Sequence, residues 1–213
     1  MITRDPAQFL EAFGKGMLEI DAPAYARASF LVEPSGFFIS QETAKDNLYM
    51  DTAVGANAQR ALEQHRQLSD AISQVGLPTV RFPGRAETPD DVFPNNVFAT
   101  VRGRLIIGAM LHKERQQEAS REDIRGFFNQ VLGYETHELP REDLVAELTG
   151  ALVIDRGRRI GYCGMTQRVD DAGCRAMHEA FNLKFSLQFD LKPEEYHTNV
   201  VMAVLSSRAL VIC

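Results

Sequence analysis

The sequence has no tryptophan and only three cysteines, Cys163, Cys174 and Cys213, in 213 residues. An odd set without Cys-x-x-Cys spacing excludes a disulfide framework and a thiolate zinc site, and it fits a reducing cytoplasm. No apolar run nears the roughly 20 residues that a membrane helix needs. Residues 1–14 interleave Arg4, Asp5 and Glu11 with Phe9, Leu10 and Phe13, so the basic and apolar regions of a secretory leader are missing. Charge of one sign is never concentrated either. The net charge of −6 carries no long acidic or basic block, which argues against nucleic acid and membrane surfaces and for a small-molecule or protein partner. The pair His137-Glu138 is not continued as His-Glu-x-x-His, because position 141 is Arg141, so no metal site is expected, and no cofactor. Self-association into a homo-oligomer is compatible with this composition.

What is present is a recurring pattern: a polar cluster, an apolar strand, a tight turn rich in Arg, Gly or Ser, and a second apolar strand. Asn95-Asn96 leads into residues 97–101, turns at Arg102-Gly103-Arg104 and returns in residues 105–108; Gly103 supplies the positive φ that a short hairpin commonly requires. Glu147 precedes a second copy, residues 151–154 and 160–163 about the turn Asp155-Arg156-Gly157-Arg158. His197-Thr198-Asn199 opens a third, residues 200–205 and 209–213 about Ser206-Ser207. A fainter copy is expected at residues 29–32 and 37–39 around Glu33-Pro34-Ser35-Gly36.

Helical periodicity lies between the hairpins, over residues 57–75, 114–132 and 170–181, with Gly76, Gly133 and Asn182 as C-terminal caps. A short extended run follows each, at residues 79–82, 134–139 and 185–191. The unit reads hairpin, helix, strand, and its polar leaders Asn96, Glu147 and His197 recur at about 50 residues, a period typical of repeat architectures. In a ring of such units the residues leading into the innermost strands converge on the axis, which would gather these three side chains into one site.

The strings Val92-Phe93-Pro94-Asn95-Asn96-Val97, Glu147-Leu148-Thr149-Gly150-Ala151 and Tyr196-His197-Thr198-Asn199-Val200 resemble, in order and spacing, the motifs of amidinotransferase-like hydrolases of the arginine deiminase, or pentein, superfamily, most of all its citrulline-hydrolase-like branch. The resemblance implies a single α/β domain over residues 1–213, a pentein-type propeller of ββαβ repeats with about four of five units in this stretch. It implies covalent chemistry in which a cysteine thiolate attacks the central carbon of a ureido or guanidino group. It gives His197 and Glu147 the catalytic roles, and it places Asn96 and Asn199 where arginine-directed relatives often carry aspartates. Phe93 and Asn95 join them as substrate-binding candidates.

Imidazole suits the proton-transfer role because its pKa lies near neutrality. A guanidinium is a cation with donors only, whereas an asparagine amide both donates and accepts; Asn96 and Asn199 therefore favour a neutral, citrulline-like substrate over arginine. The family's cysteine belongs to the last unit, so Leu210-Val211-Ile212-Cys213 reads as a truncated end, and residues 1–213 alone are expected to be inactive. Cys163, Cys174 and Cys213 read as small hydrophobes. An amidinotransferase using the same apparatus, and a non-catalytic binding module on the same fold, are the alternatives. Residues 41–47 resemble a family segment near the mouth of the site, and an ordinary polar surface loop fits them equally.

Overall fold

In the computed structural model, which describes residues 1–53 and 55–213, the chain opens with strand β1 (Ile2–Thr3) and helix α1 (Pro6–Gly14), whose first turn is capped by Asp5 accepting from Ala7 N at 2.8 Å. Strand β2 (Ser29–Val32), helix α2 (Ala58–Gln74) and strand β3 (Thr79–Phe82) follow, the two strands pairing in parallel. Strands β4 (Phe98–Val101) and β5 (Arg104–Ile107) form an antiparallel hairpin. Helices α3 (Lys113–Glu118) and α4 (Glu122–Gly126) and a π turn (Phe127–Val131) then lead to β6 (Glu135–Glu138), parallel to β5.

The same order recurs in the one-turn helix α5 (Leu148–Ala151), hairpin β7 (Leu152–Asp155) and β8 (Ile160–Met165), helix α6 (Asp171–Ala180) and strand β9 (Phe185–Asp190). It begins again in α7 (Thr198–Val201), β10 (Met202–Ser206) and β11 (Ala209–Ile212).

The α/β class and the hairpin-helix-strand unit are thus present. The strands make separate sheets in the orders β1-β9-β8-β7, β4-β5-β6, β2-β3 and β10-β11, and among the described residues no sheet closes on itself. The strands pair within these separate sheets, and the β4-β5-β6 unit meets the β7-β8-β9 unit through side chains and through a reciprocal backbone bridge between Ala109 and Ala146. Ala99 and Ile106 of one unit pack in the same core as Leu152, Cys163, Cys174 and Met177 of the next. Central strand β5 lies between β4 and β6 and is covered on both faces, so Leu105, Ile106 and Ile107 are all fully buried; alternation sends Ile106 into that core and Leu105 and Ile107 into a second one with Phe98 and Phe128.

Three local expectations change. Residues 37–39 are not a strand: the turn at residues 33–36 lies backbone to backbone against residues 84–86, where a Cβ on Gly84 would come within 1.9 Å of Glu33 O, and the chain after it departs from β2. The helix expected over residues 114–132 is broken at Arg121, whose backbone is extended and whose buried guanidinium bonds Asp91, Asp123 and Pro83 O. The π turn beyond it sets Phe127 and Phe128 against Phe82, Phe30 and Tyr134. Finally, each inner strand begins one or two residues later than expected, because a helical turn precedes it, ending on the leader Asn96 in the first unit and following the leaders Glu147 and His197 in the others.

Candidate active site

That helical turn is the local device that builds the site. Pro94–Asn96 forms a 3-10 turn that ends on Asn96, while Glu147 stands at the N-cap of α5 and His197 at the N-cap of α7, so each polar leader lies in or at the head of the short turn before an inner strand. Contacts among the three turns hold them together. Thr149 Oγ1 donates to Asn95 O at 2.9 Å, and Thr198 Oγ1 donates to Ala151 O at 2.5 Å while accepting from Gly164 N at 2.8 Å. Gly150 is required at their meeting point: a Cβ there would lie 2.6 Å from Asn96 Oδ1 and 2.8 Å from His197 Cε1.

The leaders surround a cleft of about 530 Å³, in the range of small-molecule sites. Phe93, Asn95, Asn96, His197 and Asn199 line it, and Glu147 lies directly behind His197. His197 Nε2 is 2.9 Å from Glu147 Oε2, and both side chains are buried. Burial pushes the His197 imidazole below its ordinary pKa even though Glu147 opposes this, so the ring is neutral near pH 7. Burial also pushes the Glu147 carboxyl upward, but the bond from His197 and the charge of Arg168 outweigh it, and the net direction is down. An ionised carboxylate only accepts; His197 therefore carries its proton on Nε2, leaving Nδ1 unprotonated and able to accept. Tyr196 packs against the imidazole with ring centroids 4.4 Å apart and planes tilted by 36°.

Charged side chains that the sequence reading passed over complete the site. Arg168 Nη1 meets both Glu147 oxygens at 3.1 and 2.9 Å, and its other edge holds Asp46. This ties residues 43–47 to the floor of the cleft, and Phe37, Phe38, Thr43 and Asn47 form one wall, so the segment suspected near the mouth is there. Arg115 donates to Asp90 O and, at 3.0 Å, to Phe93 O, fixing the chain just ahead of Asn95. Asp90 accepts from Thr43 Oγ1 at 2.8 Å through Oδ2, while its buried Oδ1 has no partner among the described residues.

Arg115 gave no signal because it sits in a charged helical run, and Arg168 because it sits in a turn. Among the described residues no three or more His, Cys, Asp and Glu side chains cluster so as to hold a metal ion. No described helix is long and apolar enough to cross a membrane.

No cysteine among the described residues lines the cleft. Cys163 and Cys174 are buried in the core beside one another, each shifting the other's thiol in opposite directions, and Cys213 is exposed on the last hairpin.

Residues 33–213 match the family model described as N,N dimethylarginine dimethylhydrolase, eukaryotic. A search of curated proteins finds no match to the chain. Among solved structures the chain is similar to ArgZ, an arginine dihydrolase from the ornithine-ammonia cycle in cyanobacteria, with TM-score 0.72 and 22% identity over 85% of this chain and 26% of that one. It is similar to AgrE in complex with L-arginine, with TM-score 0.74 and 22% identity over 88% and 27% of the two chains. It is also similar to a dimethylarginine dimethylaminohydrolase, with TM-score 0.67 and 18% identity over 88% and 69%. At these identities the structural likenesses show the fold, and the chain spans about a quarter of ArgZ and AgrE.

Proposed function

Because this chain belongs to the N,N dimethylarginine dimethylhydrolase, eukaryotic, family, within the pentein superfamily, we propose that the protein hydrolyses a carbon–nitrogen bond of a guanidino substrate related to arginine. The observation that carries this reading is the neutral His197, oriented by Glu147 at the floor of a cleft whose walls offer the amides of Asn95, Asn96 and Asn199 and the unpartnered oxygen of Asp90.

In this reading neutral His197 accepts the proton of the nucleophilic thiol at Nδ1, the thiolate so formed bonds to the central carbon of the substrate, and the resulting tetrahedral adduct expels an amine or ammonia. The leaving nitrogen takes a proton from His197, which holds one as an imidazolium at that stage with Glu147 balancing its charge. A water molecule then attacks the thiouronium-like adduct, giving one proton to His197; the carbon–sulfur bond breaks as the new hydroxyl gives its proton to solvent and forms the carbonyl, and the sulfur takes the proton back from His197. The thiolate comes from outside residues 1–213, since Cys163 and Cys174 are sealed in the core and Cys213 is not part of the cleft. The same reading makes residues 1–213 a single domain of a five-unit ring, inactive by themselves, and puts the protein in the cytoplasm.

Asp90 favours a cation: a buried carboxylate oxygen with no donor among the described residues is most stable facing an N–H of positive charge. The amides Asn95, Asn96 and Asn199 favour a second reading, a citrulline-like ureido substrate, because a neutral carbonyl oxygen needs a donor that a carboxylate cannot give. Release of ammonia or amine by the whole natural protein from arginine, N,N-dimethylarginine and citrulline separates the two. Turnover of arginine or its methylated form well above that of citrulline supports the guanidino reading; the reverse order supports the ureido one. No release from any of the three overturns both.

A further inference from the structure

Strands β4 and β7 each run about 13 Å, four residues at ~3.3 Å per residue, from the cleft to a hairpin turn at the opposite end of the molecule's inner strands. There the turns bring Arg102, Arg104, Arg156 and Arg159 around a second cavity of about 620 Å³, floored by Phe181 and walled by Leu183. Arg159 is neutralised by Asp21, which it meets at 3.2 and 2.5 Å, and Asp21 also takes Lys184 at 3.0 Å. The other three guanidinium groups have no carboxylate within ion-pair distance among the described residues. Glu179, exposed at the rim, is the one acidic side chain lining the cavity.

Two of the three are aimed by the fold. Arg156 lies over the Phe181 ring, its Cζ 5.4 Å from the centroid, with Nη1 donating to Thr100 O at 3.1 Å. Arg104 Nη1 donates to Ala180 O at 3.0 Å. Each bond uses one donor and leaves the rest of the guanidinium fork without a protein acceptor among the described residues. Burial presses the Arg156 guanidinium down with no acidic neighbour to offset it. A chain of net charge −6 has carboxylates to spare, yet places none against these groups. Like charges gathered without a counter-ion repel, and an anion between them relieves that repulsion.

We propose that this cavity binds a small oxyanion carrying at least two negative charges, of the phosphate or polycarboxylate class. Planar guanidinium forks bond both groups in bidentate fashion, and three of them lining one cavity match a ligand with more than one charged end. The site is separate from the cleft around His197, and the inference does not depend on the reaction assigned there.

Isothermal titration of the whole natural protein with pyrophosphate and, separately, with citrate, at ionic strength held constant by chloride, tests it. Saturable binding of either anion with Kd below about 1 mM is expected, the preferred arm identifying the ligand class. Arg156→Gln is expected to weaken it at least about tenfold, and Arg102→Gln, an exposed turn position whose change spares the fold, several-fold. A ligand-induced rise in Tm should shrink in parallel in both variants. Absence of saturable binding by both anions overturns the proposal. So does binding that both variants leave unchanged, or binding that Arg115→Gln alone abolishes, which would place the anion in the cleft beside His197.

Discussion

Nε2 of His197 lies 2.9 Å from Oε2 of Glu147, and the same carboxylate takes Nη1 of Arg168 at 2.9 Å, so one buried anion orients the imidazole and anchors the cleft wall that Arg168 holds through Asp46. Glu147→Gln keeps the shape but leaves the buried Arg168 facing an amide. Breaking a buried pair from one side costs about 3–5 kcal/mol. A fall of that order in unfolding free energy is expected by denaturant titration, and Arg168→Met combined with Glu147→Gln should cost less than the sum of the two single changes.

Gly150 separates Asn96 from His197, and its added Cβ would stand 2.6 Å from the one and 2.8 Å from the other. Gly150→Ala must push these two groups apart. Misplacement of catalytic groups by about 1 Å can cost on the order of 10²-fold in rate. We expect such a loss in kcat, read in a steady-state assay of the whole protein, with a far smaller change in Tm.

Glu118 is buried beside Arg115, 3.1 Å from its Nη1 but without the alignment of a hydrogen bond, and neither carboxylate oxygen has another partner among the described residues. Burial pushes its carboxyl up to about 8. A raised acid is protonated in the fold at pH values where the unfolded chain has lost the proton. Its contribution is therefore complete below the unfolded value near 4.5 and declines as pH rises to about 8, by roughly 1.4 kcal/mol per unit at most. Urea titrations from pH 5 to 8.5 should show that decline, and Glu118→Gln should flatten it.

Much of this was legible in the sequence because it rests on short-range rules. Gly76, Gly133 and Asn182 all take positive φ where the helical periodicity stops, and Asn57 and Asp170 cap the helices that follow them. The period linking Asn96, Glu147 and His197 was readable as well, and it foreshadowed their meeting at one cleft, which Asn96 and His197 line with Glu147 bonded behind the imidazole.

Features set by distant partners were not legible. Arg121 breaks a helix to reach Asp91, thirty residues away in the chain, and Arg168 reaches Asp46 from the far side of the cleft. β1 spans two residues, too few for any periodicity, yet it extends the sheet by pairing with β9. Residues 37–39, Phe-Phe-Ile, are a short apolar run of the kind that forms a strand, but they lose the partner edge to the tight contact between the backbones at Glu33 and Gly84.

The account turns on the imidazole of His197 as the group that moves the proton. The most direct measurement is kcat of the whole natural protein and its His197→Ala variant on the best guanidino or ureido substrate, with added imidazole as a chemical rescue. A fall of at least about 10²-fold, partly restored by imidazole in a variant that remains folded at the assay temperature, is predicted. Undiminished turnover in the variant would contradict the account.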